Sequence, residues 1–136
     1  MTPIVLAAIT LLILTALFHI YWAFGGEAGL NRALPTRDGK RLFNPGGLLT
    51  FVVALALFAC AFVAYSLHFD ASPAKLTVSA GWILSVLFIL RAVGDFNAVG
   101  FFKIITSTDF AVYDTKYFSP LCLCLGILYA LLASHA

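Results

Sequence analysis

The chain has 136 residues, of which 62% are hydrophobic and 10% charged, against about a quarter charged in an ordinary soluble domain. Too little polar surface exists to coat a water-exposed body of this size, so the apolar residues must face lipid. A net charge of +2, with no basic stripe interleaved with aromatics, argues against nucleic acid as a partner.

The first charged residue is Glu27, which leaves 26 uncharged residues before it. A cleaved secretory signal carries Lys or Arg ahead of its apolar core, whereas the first basic residue here is Arg32. The stretch from Pro3 therefore reads as a retained first span. Residues 25–44 follow as a charged loop holding Glu27, Arg32, Arg37, Asp38, Lys40 and Arg41. Three further uncharged runs come after it: 28 residues over 42–69, 15 over 76–90 and 20 over 117–136. The pattern predicts four transmembrane helices.

Prolines mark where each begins. Thr2-Pro3, Asn44-Pro45, Ser72-Pro73 and Ser119-Pro120 each stand at the head of one apolar run. Proline is free at the first helical position because that amide has no intrahelical partner, and a small polar residue before it caps the next donors. The spans are placed at about 3–24, 45–68, 73–97 and 120–135, the third running past Arg91 to reach bilayer thickness and the fourth short. Between spans three and four, Gly100 to Ile105 reads as an interfacial segment, with Phe at the acyl boundary and Lys103 toward headgroups. The expected fold is all-α, one domain over residues 1–136: an integral membrane, up-and-down four-helix bundle.

Basic residues orient such a bundle. Arg32, Arg37, Lys40, Arg41, Arg91, Lys103 and Lys116 fall on one side and Lys75 alone on the other, which predicts both termini on the non-cytoplasmic side of a bacterial inner membrane.

Depth follows from a rise of 1.5 Å per residue: His19 lies roughly 24 Å along span one and Arg91 roughly 27 Å along span three, both near the cytoplasmic boundary. Trp22 shares the face of His19, and Asp95, one turn beyond Arg91, is spaced to pair with it. With Asn97, Lys103, Asp109 and Asp114, these residues compose a candidate polar pocket at the cytoplasmic mouth. Ionisable groups near a membrane core are costly and often serve binding. The competing account makes Arg91 a snorkelling anchor, Asp95 its neutraliser and Trp22 a belt residue.

Other residues point to less. Trp82, about 13 Å along its span, is expected to find a hydroxyl or carbonyl partner in the bundle, with Ser79 and Ser85 nearest. His68 and His135 sit at outer helix ends without a third ligand or a spacing signature, so neither a metal nor another cofactor is expected. Cys60, Cys122 and Cys124 form no CxxC and read as buried small hydrophobes. No Gly-rich phosphate loop, HExxH helix or GxSxG elbow occurs.

The stretches from His19 to Gly26, from Arg91 to Phe96, from Gly100 to Lys103 and from Asp114 to Cys122 together resemble a small four-span bacterial membrane family of unknown function. The likeness covers nearly the whole chain. It implies the topology above and marks His19, Trp22, Arg91, Gly94, Asp95, Lys103, Asp114 and Pro120 as positions to test.

The leading expectation is a non-enzymatic binding or accessory protein whose cytoplasm-facing pocket takes a lipid headgroup or a small amphiphile. Arg91 supplies the anion contact, Lys103 adds charge, Asp95 orients Arg91, and His19 with Trp22 lines the wall. Two alternatives stand beside it. One is a proton-coupled transporter or permease subunit using His19 and Asp95 as a relay. The other is a membrane enzyme on an amphiphilic substrate, with Asp95, Asp109 or Asp114 as acid or base. Membrane lipids are the expected partners, and the small core of four spans favours a homodimer, although no GxxxG stands within a span.

Overall fold

The computed structural model describes all 136 residues. Helix α1 (Thr2–Ala23) leads into a short α2 (Leu30–Ala33) and a small antiparallel hairpin, β1 (Thr36–Arg37) and β2 (Lys40–Arg41). Then come α3 (Gly47–Phe69), α4 (Lys75–Val93), α5 (Asp109–Tyr113), a π-helical turn over Asp114–Phe118, and α6 (Ser119–His135). Four helices are long and apolar enough to cross a membrane: α1, α3, α4 and the continuous helix Asp109–His135.

The third span stops at Val93 rather than near residue 97. Gly94 takes φ +94°, a conformation open to glycine at little cost, and turns the chain out of the helix. The fourth span is the longer surprise. It begins at Asp109, where the Thr108 hydroxyl accepts a 3.1 Å hydrogen bond from the Ala111 amide, and it runs straight through Ser119-Pro120. A proline inside an α-helix removes one hydrogen bond and clashes with the carbonyl four residues back. The π turn just before it shifts the bonding register and carries the helix past the ring.

Caps also depart from expectation. The residues preceding α1, α3 and α4 are Met1, Gly46 and Ala74, and none makes a side-chain cap. Thr2 Oγ1 lies instead 2.9 Å from His68 Nε2. The all-α class holds, with one hairpin of two-residue strands as the sole sheet: Asp38 and Gly39, both at positive φ, form the turn that closes it.

Packing is pairwise. α1 lies along α3 and α4 along α6, and the pairs join chiefly through α3. Ala61 and Ala64 let α3 sit close to its neighbours at one end of the bundle, where Val5, Leu67 and Leu132 complete the core. At Gly126 a Cβ would stand 3.0 Å from the Ser85 carbonyl oxygen, and the Gly126 carbonyl accepts a 2.7 Å bond from Ser85 Oγ. Tyr129 donates its hydroxyl to the Cys60 carbonyl at 2.6 Å and stacks on Phe88. Ser85 is thus committed to Gly126, and Trp82 faces outward without a bonded partner. Cys60 is buried, but Cys122 is only half-buried and Cys124 exposed, so burial does not extend to all three thiols.

Both termini share the tightly packed end. The Thr2–His68 contact places the start of α1 beside the end of α3, and Ala136 borders the α3–α4 connection. At the other end the two helix pairs part.

Candidate functional site

Between the parted pairs lies a cavity of about 670 Å³, within the range of small-molecule sites. One face of α1 supplies Leu11, Thr15, His19 and Trp22, at helical spacing. Leu49, Val53 and Leu57 of α3 stand opposite, Phe88 and Arg91 come from α4, and Leu121, Cys122 and Leu125 come from α6. The charged loop does not hang free: Leu30, Ala33, Leu34 and Phe43 fold over the mouth, and Arg32 stacks on the Tyr113 ring at 5.2 Å.

His19 Nδ1 lies 2.8 Å from the Thr15 carbonyl. A carbonyl only accepts, so Nδ1 carries the proton. The imidazole meets Trp22 edge-on at 5.0 Å, and the Trp22 indole donates to the Ala28 carbonyl at 2.8 Å, tying the loop to the end of α1.

Behind the Arg91 wall sits an ion cluster. Arg91 Nη2 donates to Asp114 Oδ1 at 2.7 Å, and Asp114 Oδ2 accepts from the Gly100 amide at 2.8 Å and from Lys103 Nζ at 3.1 Å. Lys103 completes its set on the Gly100 carbonyl at 2.7 Å and Thr115 Oγ1 at 2.6 Å. All three ammonium protons are used. The Lys103 and Asp114 side chains are 2% and 0% exposed and that of Arg91 34%. Arg91 Nη1 is buried with no hydrogen-bond partner, as is Ser119 Oγ.

Asp95 is not the partner of Arg91. Its Oδ1 accepts from the amides of Asn97, Ala98 and Val99 at 2.8–2.9 Å, tying up its own loop. Burial pushes the Asp95 carboxyl up, but the amides of Asn97, Val99 and Ala98 outweigh it and hold the group below the ordinary carboxylate value. Helix α4 ends at Gly94, so the one-turn spacing from Arg91 never forms. Gly94 and Gly100, both at positive φ, press their backbones together where a Cβ on either would collide. This closes the loop and brings Lys103 inward rather than toward headgroups. Asn97 uses its carbonyl to accept from the Ile104 and Ile105 amides and stays exposed, and Asp109 lies exposed at the start of α5.

The predicted residues therefore divide. His19, Trp22 and Arg91 line the cavity; Lys103 and Asp114 lie behind Arg91; Asp95 and Asn97 shape a loop away from it. A His19–Asp95 relay has no geometry here, and neither does an Arg91 anchored outward and neutralised by Asp95. Sequence reasoning missed the mouth-covering residues Leu30, Leu34 and Phe43, although Leu30 and Leu34 at a four-residue spacing beside the basic side chains were a legible sign of a folded loop. A shallower cleft of about 520 Å³ at the termini end is lined by Ser72, Ser79 and Lys75 among small apolar residues, with Lys75 its one charged side chain.

Residues 12–129 match the model of a family described as "Protein of unknown function (DUF3995)". No curated protein and no solved structure matches the chain.

Proposed function

Because the chain belongs to the DUF3995 family, whose description assigns no activity, its role has to be read from its own site, and we propose that it is a non-enzymatic amphiphile-binding membrane protein. The observation that carries this reading is the form of the cavity: apolar along most of its wall, with His19, Trp22 and Arg91 gathered at the mouth end. A molecule with a polar head and a hydrocarbon body matches that division. Membrane lipids or a small amphiphile drawn from them are the partners this implies.

In this reading the protein spans a bacterial inner membrane several times. The seven basic residues toward the cavity end, against Lys75 at the other, support an orientation with the mouth at the cytoplasm and both termini on the far side. A homodimer would add to the small core. Asp114, held in two ion pairs, serves structure rather than acid–base chemistry.

Native mass spectrometry of the protein released from mild detergent tests the proposal. The expected result is a retained amphiphile adduct, lost when Val53→Trp fills the cavity wall. A wild-type protein without adduct, or an adduct indifferent to Val53→Trp, overturns it.

A further inference from the structure

The geometry points to the chemical class of the bound amphiphile: a single-chain molecule with a monoanionic head, held by Arg91. This rests on the reading of the cavity as an amphiphile site, and narrows it by charge.

The ion cluster does not balance. Arg91 and Lys103 bring two positive charges to the single carboxylate of Asp114, and Asp95, the nearest other acid in sequence, forms no ion pair with either. One positive charge remains uncompensated in a largely dry setting, which is costly unless something of opposite sign meets it. Lys103 has no donor left to offer. Arg91 does: of its five guanidinium N–H donors only one, on Nη2, is committed to Asp114, and its side chain is 34% exposed. Arg91 is also the one member of the cluster that lines the cavity. The excess charge and the free donor thus belong to the same side chain, at the polar end of an apolar chamber.

Charge arithmetic selects the head. A monoanionic head, carboxylate or phosphodiester, brings one negative charge, equal to the excess, whereas a phosphate monoester brings about 1.5 to 2 near neutral pH and would leave the site overbalanced. Chamber length selects the tail. From Trp22 to Leu11 the α1 wall runs eleven residues, about 16 Å of helix, and Leu57, Phe88 and Leu125 close the far part with apolar groups. One extended chain suits a volume of about 670 Å³.

The test uses the full chain in zwitterionic nanodiscs. Trp82→Phe leaves Trp22, at the cavity, as the only tryptophan of the two. Bromine-tagged dodecanoate is expected to quench Trp22, and to be displaced by dodecanoate about tenfold or more better than by neutral dodecanoyl glycerol, and better than by dodecyl phosphate or dodecyl trimethylammonium. Arg91→Gln, which leaves Lys103 and Asp114 as a balanced pair, should erase that preference, and Arg91→Lys should retain part of it. Equal displacement by the neutral probe, or tighter displacement by the phosphate monoester, overturns the monoanion assignment and leaves the amphiphile site standing. No quenching by the tagged probe overturns the assignment, and the amphiphile reading falls with it when native mass spectrometry also finds no adduct. If Arg91→Gln does not fold, the probe series on the chain with native Arg91 decides alone.

Discussion

Asp114 and Arg91 stand 23 residues apart in sequence and meet at 2.7 Å, across the interface between α4 and the π turn within the last span. Asp114 is the only acid facing Arg91 and Lys103, so removing it strands two cations at once. Asp114→Ala should lower stability by about 3–5 kcal/mol, read as thermal unfolding in detergent. Lys103→Met, which leaves one cation facing one anion, should cost less. Adding Lys103→Met to Asp114→Ala should recover part of the loss. A stable Asp114→Ala protein would contradict the cluster as described.

Asp95 gives a pH signature separate from the cavity. Its folded carboxyl lies below the ordinary 3.8, so its contribution to the loop is fully present above the unfolded value. That contribution fades as pH falls through the depressed folded one. The amide resonances of Asn97, Ala98 and Val99 should hold steady from neutral pH to about 4 and move together below it. Asp95→Asn should lack that acid transition. A transition surviving the substitution would assign it to another group.

Much of this fold was legible because charge is scarce: four uncharged runs mark four spans, and basic asymmetry separates the two ends. What stayed hidden depended on contacts far apart in sequence. The partner of Arg91 looks like Asp95 by helical spacing, but that spacing holds only if the helix continues, and Gly94 ends it. Pro120 looks like a helix start because nothing local announces the π turn that carries the helix through it. The bond from Tyr129 to the Cys60 carbonyl joins two helices and has no local signature in either. Helical periodicity reports the face of one helix, and these features are properties of two.

Gly126 sets the spacing between α4 and α6. A side chain there meets Ile89 Cγ1 at 2.6 Å and the Ser85 carbonyl at 3.0 Å, so Gly126→Val should destabilise by about 1–3 kcal/mol, with Gly126→Ala milder. Ser85→Ala should cost only about 0.5–1.5 kcal/mol, since it removes one hydrogen bond without forcing the helices apart. Thermal unfolding of the three variants checks the order, and equal losses for Ser85→Ala and Gly126→Val would refute it.

Tyr129→Phe offers a control for the whole scheme. It deletes the 2.6 Å bond to the Cys60 carbonyl while keeping the ring against Phe88. Stability should fall by about 1 kcal/mol with amphiphile retention in native mass spectrometry unchanged. Loss of retention would mean that the packed end and the cavity are one unit.

The pairwise packing makes α1 with α3 one arm and α4 with α6 another, clamped together where the termini lie and free of each other at the mouth. Whatever occupies the gap between two such arms bears on the clamp through leverage. A change of volume near Arg91 should therefore be read first at the loop residues Leu30, Leu34 and Phe43, which line the same opening.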